Sequence, residues 1–214
     1  MKLSNALTAV ALAASAMSSQ AADIFRLDFD ALLDDAQVGD YYNGNGGPSY
    51  GTVFTGDSRA VKSIDFGGNG NFAGQPSGEN ALYFVTSTVV VDVAIGFENA
   101  LSFAYTGNAA NIKVFGKVGN TFVTLFSSDL TAPPNCDDGD HDNCNWSIYS
   151  VEFSGVAYRL EFGGQPNKTL YDNITFGYKD PIGILPPPVP EPSTYGLMLL
   201  GLAGLGAVAR RRRD

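Results

Sequence analysis

Carboxylates, ring-bearing loop residues and one pair of cysteines are the groups in this chain that could do chemistry, and their spacing limits which. The stretch DDGDHDN at residues 137–143 sets Asp138, Asp140 and Asp142 at alternate positions, as loops that offer oxygen ligands to calcium do. It departs from the EF-hand pattern, because counting from Asp138 the sixth position is Asn143 rather than glycine and the twelfth is Tyr149 rather than glutamate. A solvated acidic loop is the plainer alternative. Asp28 and Asp30 stand in the first strand-like run and Asp172 in the last. These three would meet around a second candidate calcium site if the first and last strands are neighbours; otherwise they are polar residues on the wet face of edge strands. Tyr41, Tyr42, Tyr50 and Trp146 sit in or beside long polar loops. Exposed rings there would stack on sugar faces while asparagine and aspartate meet the hydroxyls, although such rings also serve to cover the open end of a sandwich.

Cys136 and Cys144 flank the same loop, and in an exported chain they are expected to form a disulfide that pins the loop locally. A zinc site would need four ligands, whereas His141 is the single histidine and no second cysteine pair exists. Enzyme chemistry is poorly provided for. His141 lies in a hydrophilic loop without a GxSxG nucleophile context, and Glu152 and Glu161 alternate with apolar residues on strands, where solvated charges are ordinary. The expectation is a protein that is not an enzyme, with a hydrolase as a weaker reading. An ice-binding surface is weaker still, since no strand carries a regular threonine array.

The elements that would position these groups are short. From residue 24 to 176 the runs alternate with period two, as in Leu101-Ser102-Phe103-Ala104-Tyr105 and Tyr158-Arg159-Leu160-Glu161-Phe162, and glycine and asparagine separate them. Period two with one wet face means antiparallel strands. Residues 112–118 and 122–126 flank Gly119-Asn120, a turn pair that tolerates positive φ and predicts a hairpin. About ten such runs at regular spacing predict an all-β antiparallel sandwich, jelly-roll-like because loops 40–50, 67–80 and 127–145 are long. Only residues 31–37 read as a helical turn. FGGNGNFAGQPSGENALYF and FGGQPNKTLYDNITF echo one another as loop-to-strand entries into the two sheets, but one echo makes no repeat architecture.

The ends are of a different kind. Residues 1–22 carry Lys2, an alanine-rich apolar run and small residues around Ala21, the order of a secretory signal peptide with its helix. A domain at 23–180 follows, then a proline-rich spacer at 181–189 with polyproline character, then a tail at 190–214. Setting aside Lys2, Arg210, Arg211, Arg212 and Arg213 leaves 8 of the 13 basic residues; setting aside Glu191 and Asp214 leaves 20 of the 22 acidic ones, so the domain stands near −12. That surface repels phosphate backbones and excludes nucleic acid as a partner. Residues 195–209 are apolar or glycine, short of the roughly twenty that span a bilayer comfortably. The four arginines behind them resist translocation and hold the domain outside, with a short transmembrane helix as the anchor.

Pro190-Glu191-Pro192, the apolar segment and the arginine cluster, in that order, resemble the PEP-CTERM sorting signal of Gram-negative bacteria. The resemblance implies an exosortase-type processing enzyme as partner, a precursor held in the inner membrane, and release to the cell surface or matrix. More loosely, DYYNGNGGPSYGTVFTGDSRAV, GGNGNFAGQPSGENALYFV, the CDDGDHDNCNW loop and LYDNITFG are similar to a recurring family of such substrates with a β-sandwich domain, associated with exopolysaccharide. The same tail is also described as an ice-binding protein C-terminal domain, a label that concerns the signal and not the domain's ligand. The expected role is structural or adhesive within the exopolysaccharide, with a glycan-binding module, stabilised by calcium, as the alternative.

Overall fold

The computed structural model describes residues 24–86, 88–108, 110–134 and 139–185. All belong to one compact unit, residues 22–188. The signal segment, the tail with Pro190, Glu191, Pro192, Arg210, Arg211, Arg212 and Arg213, and also Cys136 and Asp138 lie outside the described residues.

Eleven strands form two antiparallel sheets. The first contains β1 (Phe25–Leu27), β3 (Ser58–Lys62), β4 (Asn80–Phe84), β6 (Ala100–Gly107), β9 (Ser147–Glu152) and β11 (Thr169–Phe176). Its order is β3-β4-β11-β6-β9, with β1 also paired to β11. The second contains β2 (Thr52–Thr55), β5 (Thr88–Phe97), β7 (Ala110–Val118), β8 (Thr121–Leu130) and β10 (Ala157–Gly164), in the order β2-β5-β10-β7-β8. The predicted hairpin is β7 and β8, closed by Gly119 at φ 58°. The inner faces meet ring on ring, with Phe103 5.3 Å from Phe162 and Phe162 4.9 Å from Tyr171 between centroids. The sandwich is therefore one aromatic core between two alternating faces.

Three expectations fail for physical reasons. Residues 31–37 form no helix; they are turns with bonds from Leu32 N to the Phe29 carbonyl and from Ala36 N to the Leu33 carbonyl, and Gln37 bridges to Arg59. The helical hydrogen bonds instead appear at Ile64–Phe66, where the Ser63 side chain accepts from Asp65 N. The two echoing segments enter one sheet rather than two, since β4 and β11 are neighbours with Leu82 opposite Tyr171. Finally, β6 and β11 have no wet face. The polar side chains on them are buried and bonded: Ser102 Oγ donates to the Tyr178 carbonyl and Thr106 Oγ1 to the Asn145 carbonyl, both 2.7 Å. Loops cover the outer face of this sheet, and period two alone does not reveal such a cover.

Candidate functional site

The first and last strands are neighbours. Phe25 pairs with Phe176 and Leu27 with Ile174, while the other half of the same edge of β11 pairs with β4. The edge thus changes partner at Asp172 and Asn173, where the register slips and Asn173 takes φ 52°. Asp28 and Asp30 leave β1 at this junction. Phe29 between them holds φ 63°, an outlier for a bulky residue that costs about 1–3 kcal/mol and persists only where the surroundings impose it. They do impose it: Tyr42 Oη accepts from Phe29 N at 2.9 Å, Asn80 Nδ2 donates to the Phe29 carbonyl at 3.1 Å, and the ring is fully buried. The strained turn aims Asp30 at the following loop, where Oδ1 accepts from Glu79 N and Asn80 N at 2.8 and 3.0 Å. Gly78 must be glycine here, because at φ 42° a Cβ would stand 2.0 Å from Asp30 Cγ.

Asp172 is buried with no cation beside it. Its Oδ2 accepts from Ser77 N and Ser77 Oγ, both 3.3 Å, and its Oδ1 from Asn173 N at 2.6 Å; Ser77 Oγ also lies 2.9 Å from Asn173 Oδ1. Burial, and then the charge of Asp30, hold the Asp172 carboxyl well above the usual carboxylate range. Asp28, although exposed, is raised as well, by partial desolvation and the same neighbour. The three expected carboxylates are therefore gathered in one region, and all the donors there are hard oxygens of the kind calcium takes. Their free lone pairs, however, are largely spent on backbone N–H groups. Among the described residues no three acidic or histidine side chains converge closely enough to hold a metal ion.

A pH dependence follows. Unfolded aspartate titrates near 3.9. Because the folded value of Asp172 is higher, the folded state holds more protons between the two, so its contribution to stability is greatest below the unfolded value and is lost as pH rises through the folded one. Asp172→Asn removes that loss. Urea melts from pH 4 to 8 are expected to show the variant gaining on the wild type as pH rises; parallel curves would mean that folding does not raise the Asp172 carboxyl above its unfolded value. Repeating the melts with calcium separates protonation from metal binding, since a calcium-dependent gain abolished by the variant would mean that the carboxylates rearrange around an ion.

The remaining candidates are placed as follows. Asp140 and Asp142 are exposed, and Asp142 Oδ2 pairs with Lys168 Nζ at 3.3 Å, so the described part of the acidic loop is engaged with a cation of its own chain. His141 Nε2 lies 3.1 Å from Asp65 Oδ1. Cys144 carries no free thiol. Glu152 and Glu161 stand on different sheets, each beside a lysine (Lys179 and Lys113), and form no carboxylate pair.

Of the tyrosines, Tyr42 departs from the sugar-stacking expectation. Tyr42 is buried in the core, its hydroxyl spent on Phe29 N, its ring edge-on to Phe29 and parallel to Tyr50 at 6.4 Å. Tyr50 stacks on Phe25 at 4.8 Å, and Tyr41 packs edge-on against Tyr42. Tyr41 and Tyr50 are half-buried against the same core. Trp146 is half-buried against Phe72, and its Nε1 donates to the Ala73 carbonyl at 2.9 Å. Ser77, Asn80 and Asn173 were missed; the signal for Asn80 was a lone amide heading an otherwise apolar strand.

Taken with its two sheets and the aromatic core between them, the described part of the chain is an all-β sandwich domain. Residues 188–213 match the family model of the PEP-CTERM protein-sorting motif, and the chain is a PEP-CTERM sorting-domain-containing protein. That motif marks an exported precursor processed by an exosortase. No curated protein matches the chain. Among solved structures it is similar to the K1 cleaved adhesin domain of Lys-gingipain from Porphyromonas gingivalis, at 11% identity and TM-score 0.46 over 74% of this chain and 99% of that one. It is also similar to TmCBM61, solved with β-1,4-galactotriose, at 11% identity and TM-score 0.38 over 69% and 100%. A third likeness is to a mutant of CBM29-2, a family 29 carbohydrate-binding module, at 11% identity and TM-score 0.36 over 78% and 100%.

Proposed function

We propose that residues 1–22 direct export, that the tail at 190–214 holds the precursor in the inner membrane with its arginines cytoplasmic, and that an exosortase-type enzyme cuts near Pro190-Glu191-Pro192. The released sandwich then serves a structural or adhesive role in the exopolysaccharide layer at the cell surface. The match of residues 188–213 to the sorting motif carries this reading. Two features support it. The last strand, Thr169–Phe176, and all core residues precede the matched segment at 188–213, so cutting there leaves the core whole. The domain's excess of carboxylates keeps it soluble once released. A disulfide between Cys136 and Cys144 belongs to the same reading, as a pin on the acidic loop in an oxidising compartment.

A host that makes no exopolysaccharide tests the role itself. The released protein is expected to leave the cell-associated matrix fraction for the culture medium in that host, while processing continues. Equal retention in both hosts would show that the polysaccharide is not what holds it. Glycan binding by a defined site is the second reading, and one surface feature favours it.

A further inference from the structure

Side chains alternate along β3, β4 and β11, so while Ala60, Leu82 and Tyr171 enter the main core, Val61, Ala81, Tyr83 and Leu170 face the other way. Capped by Phe72 and Trp146, they form a second apolar cluster on the outside of the sheet. The cover comes from two loops, residues 63–79 and 139–146. They are stitched together by a bridge between Phe72 and Asn143, by the Ala73 N bond to the Asn143 carbonyl, and by the Trp146 bond to the Ala73 carbonyl. The cover is incomplete. Between these loops and the turn before β11 lies a groove of about 420 Å³, within the roughly 300–1,000 Å³ of small-molecule sites.

Its floor is apolar, made by Val61 and Leu170 with Tyr83 and Phe72 beside them. Its walls carry the side-chain amides of Asn71, Asn143 and Asn167, none of which makes a hydrogen bond with the described residues. Asn167, at φ 57°, stands on a left-handed turn that asparagine tolerates. The charged groups at the rim are already matched: Asp35 accepts from the Tyr83 hydroxyl and pairs with Arg59, and Asp142 pairs with Lys168. Among the described residues no cation lines the groove, and the whole domain is acidic, so an anionic ligand is disfavoured. An amide offers donor and acceptor together, as does each hydroxyl of a sugar, and an apolar floor suits the C–H face of a pyranose ring.

We propose that this groove binds a neutral pyranose unit of a polysaccharide, floor to ring face and amides to hydroxyls. The proposal deepens, and rests on, the reading that the released domain works among polysaccharides. The test is calorimetric titration of the full chain, held in a zwitterionic detergent without a sugar headgroup, against neutral gluco-, galacto- and manno-oligosaccharides and an oligouronate. At least one neutral oligosaccharide is expected to bind and the oligouronate not. Asn71→Ala combined with Asn167→Gly, which keeps the left-handed turn, is expected to weaken binding about tenfold with the melting temperature unchanged. Absence of binding by every neutral oligosaccharide, or preference for the oligouronate, overturns the proposal. Binding unaffected by the double variant overturns the groove while leaving the polysaccharide reading standing. Retention that is equal in hosts with and without exopolysaccharide, as tested above, overturns that reading on its own.

Discussion

Phe103→Ala is expected to cost roughly 3–5 kcal/mol of folding stability. The ring is fully buried in the middle of β6 and touches four others, with centroids 5.3 Å from Phe162 in the opposite sheet, 5.5 Å from Tyr149 and Tyr171, and 6.1 Å from Tyr105. Truncation loses the transfer energy of the ring and leaves a cavity. It also breaks the edge-to-face contacts, worth about 0.5–1.5 kcal/mol per pair beyond area. Neighbouring strands are hydrogen-bonded on both sides of β6, so the sheet cannot collapse into the gap. Leu33→Ala is the control: Leu33 is 80% exposed, and the change is expected to stay within about 0.5 kcal/mol. Urea unfolding of both variants measures the difference. A loss near 1 kcal/mol at Phe103 would mean that the two sheets do not meet on this ring.

The second large effect concerns the tail. Replacing Arg210, Arg211, Arg212 and Arg213 by glutamine removes the charges that, in the proposed topology, hold the C-terminus on the cytoplasmic side. The apolar segment before them is short and broken by glycine, so without the charges it is expected not to stop translocation. The variant should leave the membrane with its tail uncut, in place of a processed wild-type product. Accumulation of the variant in the inner membrane, cut normally, would show that the apolar segment is sufficient and that the arginines do something else.

What the sequence displays and what it conceals divide along physical lines. Alternation marks a strand whatever lies over it, so β5, β6, β7, β8, β9 and β10 were readable, and Gly119-Asn120 marked their one tight hairpin. The cover over a strand comes from elsewhere in the chain. Ser102 and Thr106 look like wet-face residues until Tyr178 and Asn145 arrive to accept from them. Tyr42 looks like a loop tyrosine because its partner, Phe29 N, is hidden in a backbone conformation that no phenylalanine advertises. The gathering of Asp28, Asp30 and Asp172 could be stated as a condition, and the pairing of Phe25 with Phe176 satisfied it. How their oxygens are spent depended on Ser77, Glu79 and Asn80, in a loop whose composition says only that it turns. The asparagine groove was unreadable because three separate loops build it.

The most direct test of the account is the intact mass of the protein from membrane and extracellular fractions, in hosts with and without the processing enzyme, under non-reducing conditions. The expected result is a released species that ends near Pro190-Glu191-Pro192, lighter by the mass of two hydrogens than its reduced form, and present only where the enzyme is. A protein that keeps Arg210, Arg211, Arg212 and Arg213 in both hosts, and stays in the membrane, would contradict it.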